Sequence, residues 1–356
     1  MSKIRIGIIG CGGMNTNHER AFNSLKEEAV VTCTCDIIEE RAQKSAEVLN
    51  AEHYFTDYKD MVDLVDAVLI VLPHHLHYEV GMFFIENNKH VLMEKPMCNT
   101  EEECINLIKA SEAHNIKLMT AYPVRYWPEI LKLKEYVDSG LIGEVFNMSI
   151  WTEQHTHMTQ WACDAATVGG GQFFSHGCHY VDILLWFLGN PVSGTHIGTN
   201  KGTPWMEREG TSHATIKFES GAIGYHMGTW GAVGTQLGRS FHIHGTRGML
   251  AYTTTKDSVN GGKILLYKNL NIAKVLDEDP DMKEVEVLWE TKDYILKKTH
   301  EEITHFIDCV KNDRTPITNG YESLQGLRVI WKLYEAEDKG TVADLRGLGL
   351  NQYKKL

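Results

Sequence analysis

The sequence predicts an α/β protein whose first part is a parallel sheet of the dinucleotide-binding (Rossmann) type. Short apolar runs alternate with helical segments over the first third of the chain, which indicates βαβ units. A glycine-rich turn directly follows the first apolar run, and the charged tripeptide Glu94-Lys95-Pro96 ends the fourth. Because open parallel sheets bind ligands at the carboxyl edge of their strands, we expect the functional site at this edge.

The elements of this first part follow one another in a regular order. The predicted strands are 4–9, 30–35, 67–72, 90–93 and 117–121, and the predicted helices are 15–27, 38–49 and 101–114. Continuous apolar runs are typical of parallel strands that are buried on both faces. Right-handed crossovers then bring the ends of these strands to one edge, and Pro96 marks the exit from the fourth strand.

The composition of the whole chain limits the function classes. A length of 356 residues with 43% hydrophobic residues is enough for two domains with their own cores. A formal charge of −12 argues against nucleic acid as a partner, and no apolar run is long enough to span a membrane. The chain starts directly with a strand pattern, so we expect no secretory signal. The eight cysteines are best explained as reduced thiols of a cytoplasmic protein.

The turn Gly10-Cys11-Gly12-Gly13-Met14-Asn15 is the predicted pyrophosphate site. Glycines permit a tight turn and a close approach of the backbone to phosphate, which the start of the next helix stabilises. Asn15 stands where this fingerprint usually has Gly or Ala. Asp36 ends the second strand, at the distance along the sequence from the glycine turn that ribose recognition requires. A carboxylate at this position favours NAD over NADP. Arg41 lies one helical turn further on.

The third strand ends in Pro73-His74-His75-Leu76-His77. Three histidines at a sheet edge suggest a metal site, but no Cys or Glu nearby completes a ligand set. We favour a helix start that contacts the cofactor through Pro73, His74 and His77, and a solvated surface cluster is the alternative.

These motifs together resemble the glucose–fructose oxidoreductase, inositol dehydrogenase and MocA (Gfo/Idh/MocA) family. The resemblance extends over nearly the whole chain. It rests on the motifs above and on three further segments, which are Tyr122-Pro123-Val124-Arg125-Tyr126, residues 140–145 (Gly-Leu-Ile-Gly-Glu-Val), and Gly169-Gly170-Gly171 followed by residues 177–182.

The resemblance implies a Rossmann domain over residues 1–122 and a second α/β domain over 123–356 with a large, mostly antiparallel open sheet. Alternating patterns agree with strands at 144–150, 211–218, 222–230, 240–252 and 263–268, and helical patterns lie at 178–188, 299–311 and 321–339. Because the sheet of this family commonly packs against another subunit, we expect a homodimer or homotetramer.

The chemistry that the resemblance implies is hydride transfer between NAD and a carbon of a sugar or polyol. The catalytic positions of the family correspond to Lys95 and His179 here. We assign His179 as the leading base, and Lys95 either relays the proton or stays charged and orients the oxygen. Glu94 is expected to hold the lysine or to contact the cofactor. Many relatives have an aspartate where this chain has Ser175, which leaves the proton route open.

The second domain is rich in residue types that bind carbohydrate hydroxyls. The predicted substrate contacts, besides Lys95 and His179, are Tyr126, Glu153, His155, His157, Ser175, His176 and Asp182. Arg125 and Trp161 are expected at the cofactor. No metal is predicted, with His155, His157 and His176 as a weaker divalent-metal alternative.

Three functions are therefore considered. The first is an NAD-dependent dehydrogenase that acts on a secondary hydroxyl of a sugar, inositol or glycoside and that can form a 3-keto product. The second is an NAD-dependent glycosidase that uses transient oxidation within the same fold. The third is a non-catalytic sensor of dinucleotide or sugar. The presence of both Lys95 and His179 favours catalysis.

Overall fold

The described residues form two sheets, one of six strands and one of nine. We describe a computed structural model, in which residues 3–157, 160–255, 262–268, 285–291 and 299–352 are placed. Among these residues, no helix is both long and apolar enough to cross a bilayer.

The first sheet confirms the predicted Rossmann fold. Its strands are β1 (Ile4–Ile9), β2 (Ala29–Cys35), β3 (His53–Phe55), β4 (Ala67–Ile70), β5 (His90–Glu94) and β6 (Leu118–Ala121). All neighbouring strands are parallel, in the order β3-β2-β1-β4-β5-β6. This is the order of dinucleotide-binding domains, and it places the switch point between β1 and β4, next to the glycine turn.

Four helices connect these strands. They are α1 (Asn15–Ser24), α2 (Glu39–Leu49), α3 (His77–Glu86) and α4 (Glu101–Ala113). Local sequence explains their ends: Thr100 and Glu103 form a capping box at the start of α4, and α2 ends at Asn50, which adopts a left-handed conformation. Strand β3 was not predicted, because it has only three residues, none of them buried.

The second sheet is mostly antiparallel, as expected. Its strands are β7 (Val145–Glu153), β8 (Pro191–Thr199), β9 (Thr211–Phe218), β10 (Ile223–Thr229), β11 (Leu237–Gly245), β12 (Gly248–Thr255), β13 (Lys263–Tyr267), β14 (Val285–Glu290) and β15 (Ala343–Asp344). Their order is β14-β13-β12-β11-β7-β10-β9-β8-β15, and of the neighbouring pairs only β7 and β10 are parallel.

Five α-helices lie in the described residues of this half of the chain. They are α5 (Pro128–Asp138), α6 (Ala165–Val168), α7 (Cys178–Leu188), α8 (His300–Lys311) and α9 (Gly320–Asp338). A π-helical turn, Phe173–Gly177, directly precedes α7. Helix α8 returns to the first sheet, where Ile303 and Phe306 join Ile6 and Ile8 in one buried cluster. The two halves are therefore joined by the C-terminal helices as well as by the link after β6.

Candidate active site

The glycine turn has the geometry that a pyrophosphate site requires. Gly10 has φ of +94°, and a side chain there would collide with the carbonyl of Val71. Gly12 and Gly13, in contrast, face open space, so a ligand can approach the backbone at these two residues. The turn leads directly into α1, whose first N–H groups favour an anion.

Asp36 is held beside this turn by two backbone hydrogen bonds. Its carboxylate oxygens accept from the N–H groups of Cys11 and Ile38, each at 2.9 Å. Each oxygen keeps further lone pairs, so the carboxylate can also accept from ribose hydroxyls. Arg41 is exposed on α2. The glycine turn and Asp36 together fit the pyrophosphate and ribose of a dinucleotide.

Asn15 has a different role from the predicted cofactor contact. Its side chain is fully buried, and its amide donates to Glu19 at 3.0 Å and to Ser45 of α2 at 2.9 Å. Its backbone N–H donates to the carbonyl of Gly12 at 3.1 Å. Asn15 therefore packs α1 against α2, which explains how a polar residue is accommodated at this position of the turn.

The histidines after β4 are structural in part. His77 lies with its two ring nitrogens 2.9 Å from the carbonyl oxygens of Leu72 and Pro96, so it links the ends of β4 and β5. His74 donates from Nδ1 to the carbonyl of Val168 at 2.8 Å, and the ring of Trp161 packs against it at 4.9 Å. Burial lowers the pKa of both histidines. The alternative of a solvated surface cluster is therefore wrong for His74 and His77.

Glu94 pairs with a residue that the sequence analysis missed. His18 of α1 donates from Nε2 to Glu94 at 2.9 Å, and both side chains are buried. The second oxygen of Glu94 accepts from the backbone N–H of Lys95 at 3.2 Å. A histidine on the buried face of the helix that follows the glycine turn was the only signal for this contact in the sequence.

Lys95 connects the two halves of the site. Its Nζ donates to the backbone carbonyl of Ser175 at 2.7 Å, across 80 residues of sequence. Ser175 lies in the π-helical turn, four residues before His179. The lysine at the end of β5 therefore meets the segment that carries the predicted base.

Two histidines lie together on this segment. The rings of His176 and His179 are 5.9 Å apart and nearly perpendicular. His179 is buried and also packs edge to face on Tyr122 at 5.7 Å, whereas His176 is half-buried and lies near Trp230. The hydrogen bond of Lys95 thus joins it to the segment that carries Ser175, His176 and His179, and the catalytic role of Lys95 and His179 stays a prediction.

Arg125 and Asp182 are not available for the cofactor and the substrate. Both oxygens of Asp182 accept from Arg125, from Nε and Nη2, each at 2.6 Å. The Nη1 atom of Arg125 donates to Glu322 at 2.6 Å, and the side chains of Arg125 and Asp182 are only 3% exposed. Each charge is already neutralised inside the protein, which argues against the prediction that these two residues contact ligands.

Tyr126, which was predicted as a substrate contact, lies in the core. It belongs to the buried cluster between the first sheet and α8, and its ring lies 5.6 Å from the ring of His305. Burial is the main cause that raises the pKa of its phenol. Helix α8, which returns to the first sheet, packs against this residue in the same cluster.

The polar residues at the end of β7 have different partners. Glu153 accepts from the hydroxyl of Thr235 at 2.5 Å, and His157 is exposed and stacks on Trp205 at 4.1 Å. His155 is exposed, with its backbone bridged to Gly231. Within the described part of the chain, no three His, Cys, Asp or Glu side chains form a group that could hold a metal ion, and His155, His157 and His176 are not such a group.

Comparison with known families gives two matches that follow one another along the chain. The model of an oxidoreductase family with an NAD-binding Rossmann fold, Gfo/Idh/MocA, matches residues 4–122. The model of the C-terminal domain of the same family matches residues 130–251.

Individual relatives agree with these matches. A levoglucosan dehydrogenase of Pseudarthrobacter phenanthrenivorans is 25% identical over 71% of this chain and 74% of its own length. A scyllo-inositol 2-dehydrogenase (NAD(+)) of Bacillus subtilis is 24% identical over 92% of both chains. The solved structure of a levoglucosan dehydrogenase in complex with NADH and levoglucosan has a TM-score of 0.83 at 19% identity, and the match covers 96% of this chain and 99% of that one. At this identity the structural match establishes the fold.

Proposed function

The chain belongs to the Gfo/Idh/MocA family of NAD-binding oxidoreductases, and we propose that it transfers hydride between NAD and a secondary hydroxyl carbon of a sugar, an inositol or a glycoside. A 3-keto sugar is one expected product. The observation that carries this proposal is the hydrogen bond from Lys95 to Ser175, because it joins the edge of the dinucleotide sheet to the turn beside His176 and His179.

The roles of the residues follow from what alcohol oxidation requires. The bound cofactor supplies the hydride acceptor. His179 takes the proton of the substrate hydroxyl, since an imidazole accepts a proton at neutral pH. Lys95 orients the hydroxyl oxygen as a cation, and the carbonyl of Ser175 holds its ammonium group in place.

The serine at position 175 changes how the lysine is held. An aspartate side chain at this position would offer Lys95 a full negative charge, whereas the backbone carbonyl offers only a dipole. The protein therefore compensates the positive charge of the ammonium group only weakly, and this charge can attract the substrate oxygen. This supports an orienting role for Lys95 over a role as the base.

The cofactor end of the site supports NAD in the same way. Asp36 is oriented by the N–H groups of Cys11 and Ile38, and its charge repels a 2′-phosphate. Trp161 packs on His74 after the end of β4, which supports its predicted place at the cofactor.

The names of the relatives support carbohydrate or polyol hydroxyls as the substrate class. The relatives reported above are named for levoglucosan and for scyllo-inositol. These two compounds differ in their rings, so they define a class of hydroxyl-bearing rings rather than one substrate.

The test is a turnover assay with a panel of such compounds. The protein is incubated with NAD and levoglucosan, myo-inositol, scyllo-inositol, glucose or an aryl glycoside, and NADH absorbance and aglycone release are followed. NADH formation with at least one compound supports the proposal. Aglycone release without net NADH would instead identify the NAD-dependent glycosidase. NAD binding with neither product would identify a sensor.

We further propose that two or four copies associate through the nine-stranded sheet. Its strands expose large apolar side chains to solvent: Phe146 on β7 is 53% exposed, Ile197 on β8 69%, and Ile223 on β10 46%. Such a face is typical of a surface that another chain covers. Light scattering coupled to size exclusion measures the assembly, and Phe146→Ser with Ile223→Ser is expected to dissociate it.

A reducing compartment such as the cytoplasm fits the cysteines. The free thiols, most of them buried, include Cys11, Cys33, Cys35, Cys98, Cys104, Cys178 and Cys309. Burial raises the pKa of Cys33 to about 11 and that of Cys11 to about 12, so neither thiol is activated. This supports the proposed cytoplasmic location.

A further inference from the structure

Three polar side chains form a hydrogen-bonded chain from the nine-stranded sheet to the candidate active site. Ser212 on β9 donates to Oε1 of Gln172 at 2.9 Å. Nε2 of Gln172 donates to Nδ1 of His176 at 3.2 Å. Ser212 and Gln172 are both fully buried, so water does not compete for these bonds.

The surrounding backbone accommodates this chain of side chains. Gln172 directly precedes the π-helical turn, and its own N–H donates to the carbonyl of Glu209 at 2.7 Å. On β10, a side chain at Gly228 would collide with the amide of Gln172. Single π-helical turns occur often at functional sites, where they change the direction of a side chain. The turn and the glycine together leave room for Gln172 under His176.

These bonds determine the tautomer of His176. Because Nδ1 accepts the hydrogen of the Gln172 amide, the ring hydrogen of neutral His176 is on Nε2. The ring lies 5.9 Å from that of His179 and 6.3 Å from that of Trp230. His176 therefore brings a directed N–H donor to the immediate neighbourhood of the predicted base.

We propose that His176 is a second catalytic imidazole, which donates Nε2–H to the reacting oxygen of the bound sugar or polyol, and that Gln172 is the positioning residue that holds this tautomer. The proposal rests on the proposed function. In the oxidation, the hydroxyl proton passes to His179 and hydride leaves the same carbon for NAD, so a C=O bond forms. The N–H donor of His176 stabilises the negative charge that develops on the oxygen as its proton leaves.

The proposal explains how the site works without an acidic side chain at position 175. An aspartate would stabilise a positive imidazole through its charge. Ser175 has no charge, and the adjacent His176 instead stabilises the oxygen. The aspartate would stabilise the group that accepts the proton, whereas His176 stabilises the oxygen that loses it. Both effects favour the same proton transfer, so His176 can take the place of the aspartate.

The first test reads the tautomer without any substrate. In the NAD-loaded protein with ¹⁵N-labelled histidine, the signal of His176 is assigned by its loss in His176→Gln. We expect the Nε2–H form. Gln172→Met is expected to raise the share of the Nδ1–H form, whereas Gln325→Met is expected to leave the signal unchanged. A predominant Nδ1–H form in the unmodified protein would overturn the proposal.

Gln325 is a matched control because it is also a buried glutamine. It is 1% exposed, and its amide donates to the carbonyls of Gly347 and Gly349, each at 3.1 Å. Loss of these bonds costs stability in a similar way but does not touch His176. A general effect of a buried glutamine is thereby separated from an effect on the site.

The second test uses a compound that the panel shows to be oxidised. Gln172→Met is expected to lower kcat about tenfold with little change in the KM for NAD, and Gln325→Met to keep kcat within about twofold. His176→Gln keeps an N–H donor at a similar distance and is expected to retain far more activity than His176→Leu.

The outcomes distinguish the two proposals. No turnover of any compound by the unmodified protein would overturn the proposed function. Turnover that His176→Leu and Gln172→Met leave intact, or that Gln172→Met and Gln325→Met reduce equally, would overturn the role of His176 while the proposed function stands.

Discussion

Two polar clusters meet at the start of helix α7, and they differ in charge. One is the charged cluster Arg125, Asp182 and Glu322, in which every charged group has an opposite partner at 2.6 Å. The other is the neutral chain of Ser212, Gln172 and His176, which ends beside His179. Asp182 of the charged cluster follows His179 by three residues. The charged cluster and the neutral chain therefore both contact the same turn of α7.

The comparison shows how adjacent polar groups divide between folding and function. Separating a buried guanidinium from its two carboxylates requires a large free energy. We therefore expect this group to stay with its internal partners and not to bind a ligand. Although burial opposes the charge, the carboxylates of Asp182 and Glu322 raise the pKa of Arg125. The neutral chain directs an imidazole, whose proton can move during a reaction, and we therefore place the chemistry there.

The largest expected effect is on activity, at the lysine that faces the neutral cluster. Lys95→Ala should lower kcat by at least about a thousandfold with little change in the melting temperature, because it removes the group that orients the oxygen. Lys89→Ala is the control, since Lys89 also donates to a backbone carbonyl, at 3.0 Å, just before the other end of β5. Steady-state kinetics measure the effect, and near-normal turnover of Lys95→Ala contradicts the assignment.

The next effect is on stability, at the charged cluster. Arg125→Met leaves the buried carboxylate of Asp182 and the half-buried carboxylate of Glu322 without their partner, and it should lower the free energy of unfolding by about 3–5 kcal/mol. Urea denaturation measures the change. Arg5→Met removes an exposed pair with Asp66 and should cost about 1 kcal/mol or less. Equal losses in the two variants would show that burial does not distinguish these pairs.

A buried histidine beside the neutral cluster should make the folding stability of the protein fall at acidic pH. Burial lowers the pKa of His226, which stacks on Tyr180, to about 3. In the unfolded chain a histidine binds a proton below a pH of about 6.5, so the unfolded state gains protons first as the pH falls from there towards 3. Between pH 7 and pH 5 this group should cost about 2 kcal/mol of folding stability.

The variant His226→Phe isolates this contribution. It keeps the stacking on Tyr180 but has no titratable group, so its stability should fall less between pH 7 and pH 5 than that of the unmodified protein. His114→Phe, at an exposed histidine, should leave the pH dependence unchanged. Urea denaturation at both pH values provides the comparison, and parallel losses in all three proteins would argue against His226.

The smallest expected effect is on the choice of cofactor. Asp36→Ala should raise the Kd of NAD about tenfold and lower the Kd of NADP, because the carboxylate bonds ribose hydroxyls and repels a phosphate. Asp57→Ala removes another exposed carboxylate that accepts from a backbone N–H, that of Lys59, and should leave both values unchanged. Calorimetric titration measures both, and an unmodified protein that binds NADP more tightly than NAD would refute the role of Asp36.

The cofactor half of the site was predictable because its signals are local. The glycine turn, Asp36 and Lys95 each follow directly from where a strand ends, and the parallel order of the strands brings those ends to one edge. Helix α7 has the predicted bounds, because its apolar pattern is continuous. The three-residue strand β3 lacks such a pattern and was missed.

The sequence by itself determined the fold class, the family and the residues at the strand ends, since periodicity and turn chemistry act over a few residues. Only the tertiary structure decided the partners. Arg125 and Asp182 are 57 residues apart in sequence, His18 and Glu94 are 76 apart, and Gln172 reaches Ser212 across 40. Whether a charged side chain meets a ligand or an internal partner depends on which distant segment covers it, and that is a property of packing rather than of the local sequence.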